Sequence, residues 1–368
     1  MHALVSRYRS VVAAVTVGTA ASALTAVALA PTVSATTVSA RPLAAPSPAA
    51  TTPTYVPVPA YAKPRPVPAK GYVVDDLGHG GYAVTNGTYN TMFFVGTKGV
   101  VVVDAPQQLG ANLLAAVREK TSKPITDIVY SHAHTDHTAA AYLYRKGVRI
   151  WAEEGTARLL ARAEDPRRPL PNRVVRGLGR HVLRVPGVTL YLDYYGINHE
   201  EGELFLYAPV QRALMHVDLM FPRWAPFKQL AIAEDVPGFV QALDITLKYP
   251  FRYLVAGHLG WLGTRADAVT QRRYVTDLVD AGVVANNSVD YVKVTAGTDK
   301  DNQWLQYKIY SDAVTQKCMD LMPKHWLTEL GGADVFLEDN CFTMTEHQRI
   351  DGDPLIGSDR IYGWNPQT

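Results

Sequence analysis

Three histidines and an aspartate fall within six positions in the run His132-Ala133-His134-Thr135-Asp136-His137. Neutral imidazole and carboxylate are donors for zinc and for other borderline metals. Four such groups in so short a stretch rarely serve packing alone. In extended backbone His132 and His134 project to the same side, because side chains alternate with a period of two. Asp136 and His137 follow as the chain turns, so they aim elsewhere. One loop can therefore supply two adjacent metal positions. More donors come later, each near the end of an apolar run: His199 beyond Val188-Thr189-Leu190-Tyr191-Leu192, Asp218 beyond Ala213-Leu214-Met215-His216-Val217, and His258 beyond Tyr253-Leu254-Val255-Ala256. A lone histidine beside a strand is by default structural. With the opening cluster, though, these three make seven donors.

The elements that must hold them are legible around the cluster. Ile125-Thr126-Asp127-Ile128-Val129-Tyr130 reads as a short strand, and the residues from Thr138 to Tyr144 as a helix start, so the cluster falls where a strand hands over to a helix. Upstream, Asn86-Gly87 between two β-rich runs is a hairpin signal. Val100-Val101-Val102-Val103 reads as a strand covered on both faces and leads into Asp104. Residues 109–120 have helical spacing, with Leu113, Leu114 and Val117 on one side. Strand, helix and strand then recur, which indicates an α/β fold with mixed sheets. Residues 290–326 read as mainly helical.

The chain has 368 residues, 47% of them hydrophobic and 19% charged, enough to bury a large core. Residues 1–35 have the pattern of an export signal: Arg7 and Arg9, an uncharged stretch over 11–30, and Val33-Ser34-Ala35 as a small-residue cleavage site. Removing Arg7 and Arg9 from the 36 basic residues leaves 34, equal to the 34 acidic ones. A neutral mature chain lacks the field that nucleic-acid binding usually requires. No later segment is long and apolar enough to span a membrane, so no stable span is expected after processing. Residues 36–70 are rich in Pro and Ala and read as a linker. The catalytic domain is expected over 71–284 and a C-terminal extension over 285–368. For an exported chain the two cysteines, Cys318 and Cys341, are expected to form one disulfide.

At the donor residues the sequence resembles the metallo-β-lactamase fold superfamily. The resemblance is carried by His132-Ala133-His134-Thr135-Asp136-His137, by His199 in His-Glu-Glu-Gly-Glu-Leu-Phe-Leu-Tyr, by Asp218 in Met-His-Val-Asp-Leu-Met-Phe, and by His258 in Ala-Gly-His. It covers roughly residues 72–283. It implies an αββα sandwich of two mixed β-sheets flanked by helices. It also implies two metals per chain, with His132, His134 and His199 on one, Asp136, His137 and His258 on the other, and Asp218 between them. Asp104 matches a position that supports the metal loop. Ala139-Ala140 replaces a Gly-Gly pair common in the family, without removing a donor.

Expected, then, is an exported dinuclear zinc hydrolase that cleaves an ester, lactone, thioester or amide bond of a small molecule by metal-bound hydroxide. Asp136 would position the water and help move its proton. The alternatives are a β-lactamase specifically, or an iron-dependent oxidoreductase of the same superfamily; iron or manganese would replace zinc. Trp224, Phe227 and Trp261, with Phe221, are candidate walls of an apolar substrate pocket. Arg223 and Lys228 are candidate carboxylate anchors. His216, on the same side of its strand as Asp218, is read as a polar core or surface residue ahead of a support for the site. Oligomeric state is not legible.

Overall fold

The computed structural model describes residues 54–351. The expected leader, residues 36–53 of the linker and the last 17 residues, 352–368, lie outside the described residues.

Thirteen strands form two sheets. The first contains β1 (Val73–Gly78), β2 (Gly81–Thr85), β3 (Asn90–Val95), β4 (Val100–Val103), β5 (Ile125–Val129), β6 (Arg149–Glu153) and β7 (Arg173–Val175), in that spatial order. Its first four strands pair antiparallel and β4 to β7 pair parallel. The second contains β8 (Gly179–Val185), β9 (Val188–Tyr194), β10 (Phe205–Ala208), β11 (Ala213–Met215), β12 (Tyr253–Val255) and β13 (Leu262–Gly263). The order is β13-β12-β11-β10-β9-β8, with only β11 and β12 parallel. Both sheets are mixed, as expected.

The four valines of β4 show why a strand without polar alternation is stable here. Val101 and Val103 face the core between the sheets, with Phe94, Val129, Leu190, Leu206 and Met215. Val100 and Val102 face the other way, onto Leu113 and Val117 of the helix Ala111–Lys120. Burial on both faces favours a continuous apolar run. The outer face of the second sheet carries the helices Val236–Lys248 and Arg265–Ser288 through Leu214, Phe239, Leu243, Leu254 and Tyr274. Four layers result: helix, sheet, sheet, helix. The Asn86-Gly87 hairpin forms as expected. The Asn86 side chain accepts from the Thr88 and Tyr89 amides, and Gly87 takes the positive φ of 94° that the turn requires.

Two features lie at the expected divisions of the chain. The helix Arg265–Ser288 starts in a capping box, with Thr264 and Asp267 bonding reciprocally, and runs without a break through the expected division at residue 284. The later helices Gln303–Leu321 and Leu337–Asp351 pack on it, so nothing in the backbone separates an extension there. Residues 54–70 do not hang free as a linker. The carbonyls of Tyr61, Ala62 and Lys63 accept from Arg223, Trp224 and Trp261, and Arg65 pairs with Asp75. Proline-rich backbone donates few hydrogen bonds but keeps its carbonyls free to accept, and that is how this arm is fastened. Cys318 and Cys341 form the expected disulfide.

Candidate metal centre

The donors are brought together at one edge of the sandwich, where several strands end. The cluster follows β5, His199 follows β9, Asp218 follows β11 and His258 follows β12. The loop turns tightly: one helical turn, Thr135–Thr138, then a 3-10 turn, Ala141–Leu143, rather than the longer helix the sequence indicated. Asp104 and Asp218 adopt φ of 52° and 54°. Non-glycine residues in this left-handed region cost of order 1–3 kcal/mol each and concentrate at functional sites.

Two four-residue groups form there. One is His132, His134, His199 and Asp218; the other is Asp136, His137, Asp218 and His258; within each group the donor atoms lie within 4.8 Å of one another. His134 Nδ1 and His199 Nε2 are 3.0 Å apart, and His137 Nε2 and His258 Nε2 are 3.2 Å apart. Asp218 reaches both groups, 3.4 Å from His199 Nε2, 3.3 Å from His137 Nε2 and 2.9 Å from His258 Nε2. His132, His137, His199 and Asp218 are buried, whereas the Asp136 and His134 side chains are about one-third exposed.

Hydrogen bonding sets the direction of the lone pairs. The Ser131 hydroxyl donates to Asp104 Oδ2 at 2.8 Å and lies 2.9 Å from His132 Nδ1. That hydroxyl has one proton, so His132 Nδ1–H donates to it and Nε2 is the bare nitrogen. His132 Nε2 is buried with no hydrogen-bond partner among the described residues. A buried unpaired lone pair is costly unless a cation takes it, and the all-nitrogen-and-oxygen donor set suits zinc. The residues therefore fit a pair of divalent cations. Burial pushes the Asp104 carboxyl up to about 6, with its two Ser131 hydrogen bonds opposing.

Several supporting residues were not legible in the sequence. Glu200 accepts from the Ala133 amide at 2.6 Å and lies 3.3 Å from His134 Nε2, which leaves His134 Nδ1 toward His199. Asn90, at the start of β3, donates to the carbonyls of Ala256 and His258 at 3.0 and 2.7 Å, tying the His258 loop to the first sheet. Gly257 is held to glycine: a Cβ would stand 2.7 Å from Asp218 Oδ1 and 2.8 Å from Val217 Cγ1. Glu203 is fully buried with neither carboxyl oxygen hydrogen-bonded, and burial pushes its carboxyl well up. In a Glu-Glu-Gly-Glu run it reads as a surface acid.

The centre opens into a cavity of about 660 Å³. Phe221, Trp224 and Phe227 line it, as does Tyr89, whose ring is 4.7 Å from that of His258. Trp261 does not line it. Its indole N–H binds the Lys63 carbonyl and Arg223 stacks 3.8 Å from the ring centre, so this aromatic faces the arm. His216 is a core residue as read: its ring lies 3.8 Å from that of Phe205, and Nδ1 is 2.8 Å from Thr246 Oγ1.

Residues 84–258 match the family model described as the metallo-beta-lactamase superfamily, a span that ends on His258. Over that span the chain is similar to that superfamily. Beyond the superfamily match, the α subunit of a 2,4-dinitroanisole O-demethylase from Nocardioides sp. (strain JS1661) is 30% identical over 144 residues, which is 38% of this chain and 44% of the relative. The chain thus spans less than half the length of that relative. Among solved structures, the stereoselective inverting sec-alkylsulfatase Pisa1 from Pseudomonas sp. has a TM-score of 0.57 at 16% identity, over 80% of this chain and 52% of that one. That likeness is one of fold, and it covers more of the chain than residues 84–258. Metallo-beta-lactamase IND-7 has a TM-score of 0.46 at 17% identity, over 56% of this chain and 100% of that one.

Proposed function

We propose that the protein is an exported dinuclear metallohydrolase cleaving an ester, lactone, thioester or amide bond of a small molecule. The observation that carries this reading is the pair of four-donor groups meeting at Asp218 beneath one cavity. His132, His134 and His199 would hold one cation, Asp136, His137 and His258 the other, with Asp218 common to both. A single-iron oxidoreductase needs only one such group, so the shared carboxylate favours the paired reading. Divalent cations held there supply Lewis acidity and acidify water.

The chain's own residues supply the rest. Asp136 faces the cavity; burial would raise its carboxyl, but the His137 imidazole, 3.4 Å away, together with His258 holds it below its ordinary value. It is placed to orient a water and take up its proton. Tyr89 lies beside it and hydrogen-bonds its carboxylate. The apolar wall keeps bulk water away from the reacting bond. Export is supported by the leader pattern and by the disulfide, and no described helix is long and apolar enough to cross a membrane. The relative's name describes removal of a methyl group from an aryl ether oxygen, so 4-nitroanisole belongs in the substrate screen.

Metal content of the protein as purified, measured by mass spectrometry beside a hydrolysis screen, tests the reading. Two zinc ions per chain are expected. Conversion of His258→Ala should remove metal and turnover together. Full turnover by metal-free protein, or iron as the sole bound metal with a redox reaction, would overturn it.

A further inference from the structure

The cavity above the centre is walled by two segments about a hundred residues apart. Residues 221–232 contribute Phe221, Trp224, Ala225, Phe227, Ala231 and Ile232, and residues 331–336 contribute Gly331, Gly332, Val335 and Phe336. The rings of Phe227 and Phe336 meet edge to face at 4.9 Å. A Cβ on Gly331 would stand 2.8 Å from the Trp224 ring, so the missing side chain is what lets the indole lie against this loop. The indole is pinned from behind, where its N–H donates to the Ala62 carbonyl.

Charge around this wall is the informative feature. Among the described residues no Lys or Arg lines the cavity. The two cations in the segment 221–232 are both committed elsewhere. Arg223 donates to the Tyr61 carbonyl at 2.7 Å and stacks on Trp261. Lys228 lies 3.3 Å from Asp339. The acids that face the cavity, Asp136 and Asp218, belong to the metal groups. Any charged substituent placed between the walls would lose its water without gaining a partner, which is costly.

We infer that the part of the substrate distal to the scissile bond is uncharged and apolar, an alkyl or aryl group seated between Trp224, Phe227 and Phe336. The inference rests on the hydrolase reading for its kinetic test but not for its binding test. The volume suits a ring with a chain of several carbons, within the ordinary range for small-molecule sites. Each methylene buried in such a wall is worth about a fourfold gain.

Two measurements decide it. In the first, kcat/KM of the metal-loaded protein is compared for 4-nitrophenyl acetate, butyrate, hexanoate and octanoate, and for the mono-4-nitrophenyl ester of glutaric acid, which carries a carboxylate at the chain end. We expect a rise of about fourfold per methylene up to hexanoate, and at least a thirtyfold deficit for the glutarate ester against hexanoate. Conversion of Val335→Lys, which places a cation in the wall, should reverse that order. A flat chain-length series, preference for the glutarate ester in the unaltered protein, or faster turnover of the anionic β-lactam nitrocefin than of any neutral ester would overturn the inference. In the second, N-phenyl-1-naphthylamine and its 8-sulfonate are titrated by fluorescence; they share the aromatic body and differ in charge. The neutral dye should bind at least tenfold tighter, and Val335→Trp should abolish its binding while metal content stays unchanged. Equal binding, or preference for the sulfonate, would overturn the inference. Absence of all ester turnover with the neutral dye still preferred would sink the hydrolase reading and leave this one standing.

Discussion

Asn340 holds the cavity wall in a conformation that its sequence resists, and this can be tested quantitatively. Gln229, Leu230, Ala231 and Ile232 have φ of 54°, 53°, 61° and 58°, four consecutive non-glycine residues in left-handed backbone. Each costs about 1–2 kcal/mol, so the turn stores about 4–8 kcal/mol. The buried Asn340 side chain spans it. Oδ1 accepts from the Leu230 amide at 2.8 Å, and Nδ2 donates to the Pro226 carbonyl at 3.0 Å. Conversion of Asn340→Ala leaves a buried donor and a buried acceptor unpaired, at about 1–3 kcal/mol each. The total, about 2–6 kcal/mol, is comparable with the stored strain, so the turn should relax and carry Ala231 and Ile232 out of the wall. At about 2–4 °C per kcal/mol, the figure for domains of 150–250 residues, this corresponds to a melting-point drop of about 4–24 °C by scanning calorimetry. The chain-length gain for 4-nitrophenyl esters should shrink. Asn340→Asp keeps the acceptor and should fall between. A melting point within about 2 °C of the parent, with the chain-length series intact, would refute the reasoning.

Gly257→Ala should lower metal content and activity together, because the new methyl would collide with Asp218 and Val217; unchanged metal stoichiometry would count against the packing argument. Conversion of Asn90→Leu removes two hydrogen bonds to the His258 loop, and metal affinity measured by chelator competition should weaken about 10–100-fold, as for other residues that orient metal ligands. Replacing Cys318 and Cys341 by Ser opens a link across 23 residues, for which chain-entropy reasoning gives a loss of about 3 kcal/mol in denaturant titration.

What was legible in the sequence was whatever local pattern controls. The valines of β4, the Asn86-Gly87 turn and the spacing of His132 to His137 each follow from the period of the backbone or from residue type. What was not legible depends on distant partners. Asn90 and Asn340 look like ordinary polar residues until β3 is laid against the His258 loop and the helix Leu337–Asp351 against the left-handed turn. Trp261 was read with the wall because it follows His258 closely. The turn at Leu259, with φ of 72°, instead directs it to the arm. The arm itself was hidden because proline-rich composition is equally that of a tether. Only the carbonyl acceptors it presents to Arg223, Trp224 and Trp261 distinguish the two. The break expected at residue 284 marked where resemblance fades, which is a property of relatives and not of the helix Arg265–Ser288.

The cavity is divided between parts of the chain with different obligations. Strand ends of the sandwich carry the imidazoles and carboxylates, whereas residues 331–336 supply none of the donors and bound the cavity beside Trp224 and Phe227. Lengthening, shortening or exchanging that short loop therefore retunes which molecules are admitted and leaves the reacting groups in register. A lineage of such enzymes can diversify its diet by editing a loop of six residues.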